Sequence, residues 1–191
     1  MMRRWRAMAA IMTLLAGGMA GCAAPPAPEL PTMTAAEALA AYTLAPGDAV
    51  RVTVWGQGDL TTQATIGTAG GIGMPLIGEV QAAGRTLPEV RQDITQRLAA
   101  RYLVNPSVTV EVTAYRPFFV QGQVARPGSY DYRPAMDLRQ AVAVAGGYTD
   151  RARAEALTIT RDTGQGRVSL RAAPATPILP GDVIDVPRGG L

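Results

Sequence analysis

The chain has 191 residues, 48% of them hydrophobic, with 21 Gly and 15 Pro, which suits a turn-rich globular protein of one medium domain or two small ones. All 18 basic residues are Arg, set against 15 acidic ones; without Arg3, Arg4 and Arg6 the charges balance, and no basic stripe for nucleic acid remains. The absence of His and the single Cys exclude a Ser-His-Asp triad, a Cys-His pair, an ordinary structural zinc site and an internal disulfide, so no catalytic residue, metal or cofactor is assigned.

The N-terminus reads as a secretory signal over residues 1–21: a basic Met1 to Arg6, an apolar Ala7 to Met19, then small residues. The apolar run is about a dozen residues, short of the roughly 20 that cross a bilayer as a helix. Arg3-Arg4 is flanked by Trp5 and Arg6, a poor match to a twin-arginine signal, which favours the general secretory route. Met19-Ala20-Gly21-Cys22 is similar to the bacterial lipobox, with Met19 where Leu is commoner. That similarity implies cleavage between Gly21 and Cys22 and lipidation of Cys22, and it explains a lone Cys in an exported chain. Ala23, in place of the Asp associated with inner-membrane retention, directs the expectation to the outer membrane. Residues 22–41 form a tether: four prolines between Ala23 and Pro31 keep it extended, and Thr34 with Glu37 has capping-box spacing for a short helix.

A first domain is expected over residues 42–116. Ala45-Pro46-Gly47-Asp48 is a turn with Pro and Gly in its two central positions, and Val50, Val52 and Val54 then alternate with polar residues in a half-buried strand. Further strands are expected near Thr61 to Ile66, Met74 to Ile77 and Glu79 to Ala83, among many glycines. Thr86 and Glu89 cap a helix from Leu87 to about Tyr102, whose buried face is Leu87, Val90, Ile94 and Leu98. Asn105-Pro106 ends it, and Val108, Val110 and Val112 alternate in another strand. One helix on a small sheet is an α+β unit.

A second domain is expected over residues 117–191. Phe119 to Val124 is a strand, Ala125-Arg126-Pro127-Gly128 a turn with Pro and Gly in type II positions, and Ser129 to Tyr132 the return strand. Asp137 and Gln140 cap a helix closed by Gly146-Gly147. Strands follow at Leu157 to Arg161, Arg167 to Leu170 and Val183 to Val186, the order of a β-grasp domain. The turn Leu44-Ala-Pro-Gly-Asp48 recurs as Ile178-Leu-Pro-Gly-Asp182, and the repeat is given no chemical role.

These blocks resemble the polysaccharide export family. Tyr42 to Trp55, Met74-Pro-Leu-Ile-Gly-Glu-Val80, Ala83-Gly-Arg-Thr-Leu87 and Tyr102-Leu-Val-Asn-Pro-Ser-Val108 resemble its export domain. Phe119 to Tyr130 and Ala145-Gly-Gly-Tyr-Thr149 resemble its soluble-ligand-binding β-grasp domain. The resemblance implies a lipid-anchored outer-membrane protein facing the periplasm. It also implies self-association into a homo-oligomeric ring that receives a polysaccharide from an inner-membrane polymerase or co-polymerase. The chain departs from the family at Gly67 to Gly73, where an Asp-Gly-Thr turn is usual, and it stops at Leu191 without the amphipathic helix of longer members. After Cys22 there is no apolar run of about 20 residues, and Pro174, Pro177, Pro180 and Pro187 forbid a long terminal helix. A separate outer-membrane component is therefore expected to complete the passage.

Three other readings compete. Tyr115, Phe118, Tyr130, Tyr132 and Tyr148 can stack on sugars, although filling small cores is the commoner use of such residues. Paired carboxylates can hydrolyse glycosides, but none stands in a recognisable motif, so no enzyme is expected. The remaining alternative is a monomeric periplasmic lipoprotein that binds a soluble oligosaccharide or another small ligand; its polymer-binding residues are not identifiable from sequence.

Overall fold

In a computed structural model the structure describes residues 34–164 and 166–189. Gly21 and Cys22, with the expected signal, cleavage site and most of the tether, lie outside the described residues. The first element, helix α1 (Ala35–Ala40), starts at the capping box expected of Thr34 and Glu37.

Strand β1 (Ala49–Val54) buries Val50, Val52 and Val54 and exposes the residues between them, as a period of two requires. It is the centre of a three-stranded antiparallel sheet, between β2 (Thr62–Thr65) and β5 (Val108–Ala114). Val54 pairs with Val108, and Val52 with Val110. A separate hairpin joins β3 (Gly71–Met74) to β4 (Gly78–Gln81). The export-type sheet thus comes as two sheets around one core.

The strand expected from Met74 to Ile77 sits earlier in the chain. Pro75 has no N–H for a ladder, Leu76 takes a left-handed φ of 68°, and Pro75 to Ile77 form the turn between β3 and β4. Gly71 and Gly73 form the exposed side of β3, so the alternation with Ile72 and Met74 leaves little mark in the sequence. Helix α2 (Leu87–Arg101) covers this core with Val90, Ile94 and Leu98, all fully buried. The capping box at Thr86 and Glu89 fixes its start, and Arg97 donates to the Glu79 carbonyl at 3.1 Å, tying the helix to β4.

The second core is built on β6 (Phe118–Gly122), β7 (Gly128–Tyr130), β8 (Thr158–Asp162), β9 (Arg167–Arg171) and β10 (Val183–Val186). The sheet order is β7-β6-β10-β8-β9, with β10 parallel to β6. Two hairpins flanking a central last strand, with helix α3 (Leu138–Val144) between them in sequence, are the β-grasp arrangement. Leu138, Ala141 and Val142 of α3 pack with Val120, Ile159 and Ile184, so the helix covers one face of the sheet. The fold is α+β with two cores in sequence order.

The turn at Ala125 to Gly128 differs from expectation. Gly128 lacks a positive φ and already pairs with Val120, whereas Gly122 takes φ 86°. A Cβ on Gly122 would fall on the Val186 carbonyl oxygen, while one on Gly128 would meet open space. Urea denaturation should therefore show Gly122→Ala destabilised by about 2 kcal/mol or more, from backbone strain and the clash with Val186. Gly128→Ala should stay within about 0.5 kcal/mol of the parent.

Candidate functional site

The repeated turns meet where the two cores join. In each, the glycine takes a positive φ, 98° at Gly47 and 83° at Gly181. Each aspartate then folds back: Asp48 accepts the Ala45 N–H at 2.9 Å and Asp182 accepts the Leu179 N–H at 2.8 Å. Both aspartates are almost wholly buried, at 0% and 1% exposure. Burial of a carboxylate demands donors for its remaining lone pairs.

Asp48 takes two further donors, the Tyr42 hydroxyl and the Arg116 N–H at 2.9 Å. Asp182 takes Arg161 through both Nε at 2.9 Å and Nη2 at 2.7 Å, the bidentate geometry that a guanidinium offers. Burial pushes the Asp182 carboxyl above the usual carboxylate range, against the opposing pull of Arg161. Between the turns lies Arg116, whose Nε donates to the Pro180 carbonyl at 3.1 Å and whose guanidinium lies against Gly181. The Arg116 guanidinium carbon also stands 5.8 Å from the Tyr42 ring centre. The Gly181 N–H reaches the Pro117 carbonyl at 3.1 Å, closing the joint.

Aromatic rings continue this contact from one core into the other. Tyr42 meets Tyr115 edge-on at 5.8 Å, and Tyr115 meets Tyr132 edge-on at 5.2 Å. Burial raises the Tyr42 hydroxyl far above its ordinary value and pushes Tyr132 up to about 12, so both hydroxyls stay protonated at neutral pH. Of the five aromatics singled out in the sequence, Tyr115 and Tyr132 belong to this chain of rings. Phe118 is fully buried beside Tyr130, and Tyr148 stands apart, opposite Val124. The filling of small cores accounts for most of the set.

Beside the joint opens a cleft of about 390 Å³. The Pro46-Gly47 turn and Arg116 form one wall; Phe119, Thr160, Asp162 and Arg167 of the β-grasp sheet form the other. Phe119 is not among those five aromatics, although in a strand's Phe118-Phe119 pair one side chain must face outward, and Phe119 is 43% exposed. Among the described residues, no group of three His, Cys, Asp or Glu could hold a metal ion.

Two family models match successive stretches of the chain. The family model for polysaccharide biosynthesis/export proteins matches residues 36–113, and the SLBB domain model matches residues 117–171. An exopolysaccharide production protein, ExoF, of Rhizobium meliloti is 34% identical over 85 residues, 44% of this chain and 20% of that protein. An EPS I polysaccharide export outer membrane protein, EpsA, of Ralstonia solanacearum is 45% identical over 86 residues, 43% of this chain and 22% of that protein. Its namesake in Ralstonia nicotianae is 36% identical over 130 residues, 65% of this chain and 33% of that protein. The chain spans a third or less of the length of these curated relatives.

The Asp182–Arg161 pair gives a direct test of the joint. Arg161→Met leaves a buried carboxylate without its main partner and should cost about 3–5 kcal/mol in urea denaturation at pH 7. The sign with pH follows from the raised carboxyl: protonation removes the uncompensated charge, so the penalty should shrink as pH falls from 7 towards 4. An equal penalty at both pH values would show that Asp182 is not the group left unpaired.

Proposed function

The chain belongs to the polysaccharide export family, and from that membership we propose that it is the outer-membrane-anchored, periplasmic component of a capsular or exopolysaccharide export complex. Cys22 carries the lipid, residues 22–41 tether the protein, and residues 42–116 and 117–191 are its export and β-grasp domains. Copies assemble into a homo-oligomeric ring that takes polymer from an inner-membrane polymerase or co-polymerase. The observation that carries the reading is the match to an export domain followed directly by an SLBB domain. The names of the relatives from Ralstonia supply the outer membrane. No helix among the described residues is long and apolar enough to cross a membrane.

Self-association is supported by the surface of the export domain. Trp55 is 84% exposed and Val104 93% exposed. The Trp55 N–H bonds to the Ser107 carbonyl at 2.9 Å, which sets Trp55 beside the loop that bears Val104 and follows the half-exposed Tyr102. Exposed apolar side chains on neighbouring segments are where a contact between copies would bury apolar surface.

Deleting the gene should abolish surface or secreted polysaccharide, and the wild-type gene should restore it. Cys22→Ser should lose acylation, read by mass spectrometry of the N-terminal peptide, and should shift the protein out of the outer-membrane fraction. Light scattering of the solubilised acylated protein should give a multiple of the monomer mass that falls in a Trp55→Ser, Val104→Asp double variant. Normal secretion after deletion, or a strictly monomeric protein, would favour the small-ligand reading instead.

A further inference from the structure

Resting on the export reading, we propose that the cleft at the domain joint binds an acidic sugar residue, with Phe119 as the platform and Arg116 and Arg167 as the anion-binding pair. The cleft's volume, about 390 Å³, falls within the range of about 300–1,000 Å³ for ligand clefts. It lies at one end of the sheet face that α3 leaves uncovered. The strand pairings set Ser129, Phe119, Val183, Thr160 and Ser169 in one row across all five strands of that face. A ring-sized apolar surface among hydroxyl-bearing side chains suits a pyranose, which has an apolar face and a polar rim.

Charge gives the class of sugar. The cleft is lined by two guanidinium groups, Arg116 and Arg167, and by one carboxylate, Asp162. Among the described residues, neither arginine forms an ion pair. Arg116 uses Nε on the Pro180 carbonyl, and its main-chain N–H on Asp48. The Asp48 carboxylate is fully buried and accepts three donors of its own, so it offsets part of the Arg116 charge without facing the ligand. Asp182 is likewise buried, and is paired with Arg161. Asp162 accepts the Gly164 N–H with one oxygen, at 2.9 Å, and stands across the hairpin from Arg167. It remains available to a sugar hydroxyl, while the guanidinium groups match a carboxylate or another anionic substituent on the same residue.

The test titrates the full mature protein in detergent with tetragalacturonate, acidic on every residue, and with neutral maltotetraose. Tetragalacturonate should bind saturably, and maltotetraose about tenfold or more weakly, the difference expected from losing a charge-assisted hydrogen bond. Arg167→Gln and Phe119→Ala, both at exposed positions, should each weaken tetragalacturonate binding by about tenfold while retaining the parent's thermal melt. Val144→Ser, on the exposed side of α3 at the opposite face, should bind as the parent does. The proposal is overturned if the parent does not bind tetragalacturonate, if both sugars bind alike, or if the two cleft variants bind unchanged. A fall in particle mass with unchanged sugar binding in Phe119→Ala would make this face a contact between copies instead. Secretion separates the two levels: unaffected secretion after gene deletion removes the export reading whatever the titration gives. Normal secretion by an Arg167→Gln, Phe119→Ala double variant, over a deletion that abolishes it, removes only the site's part in export.

Discussion

A carboxylate taken out of water must have its lone pairs filled, and Asp48 and Asp182 are the two charged residues that the described chain buries almost completely. Each accepts three donors, one of them the N–H three residues earlier in its own turn. Asp48 also takes the nearby Tyr42 hydroxyl, and the remaining donors come from farther along the chain: Arg116 follows β5, and Arg161 lies in β8. Asp48 thereby pins the exit of β5 to the entrance of β1, and Asp182 pins β8 to the entrance of β10. Arg116 then ties the first turn to the second through Pro180. Each core alone is small, and small cores bury a modest fraction of their surface. The joint adds polar closure where both sheets begin, and the Tyr42, Tyr115 and Tyr132 rings add apolar contact beneath it.

The elements most legible in the sequence are those whose stabilising interactions are local. The capping boxes at Thr34, Thr86 and Asp137 pair residues three apart, and the alternating valines of β1 show one buried face without reference to any partner. The β-grasp order could also be read, because hairpin, helix, hairpin and last strand follow one another along the chain. Strand β3 was obscured because two of its four residues are glycines, and the neighbouring Met-Pro-Leu-Ile run looks more strand-like than a turn. Gly122 gave no signal because its constraint is the carbonyl of Val186, sixty-odd residues away and visible only once β10 lies beside β6.

The repeated Pro-Gly-Asp turns show where sequence reading stops. Their shape was evident, since Pro and Gly at the centre specify it. Their role was not, because it depends on bonds such as that from Arg116 to Asp48, which are 68 residues apart. A Pro-Gly turn before a strand is common enough that recurrence alone does not distinguish a hinge from a joint. Burial of the aspartate does, because an exposed Asp would be free to leave the turn and a buried one is held by every donor around it.

The same residue that closes the joint also faces the cleft, and this constrains how the molecule handles a ligand. The Arg116 main chain holds Asp48 of the first domain, its Nε holds Pro180 of the second, and its guanidinium lines the cavity between them. Its position is therefore set before any ligand arrives, which lowers the ordering cost of binding. Arg167, by contrast, is exposed on a hairpin strand and forms no ion pair among the described residues. In the proposed site, a fixed cation on one wall and an exposed one on the other would meet an anionic sugar from two sides. An anion bound there would leave intact the buried bonds that hold the two domains together, since Asp48 and Asp182 keep their own donors.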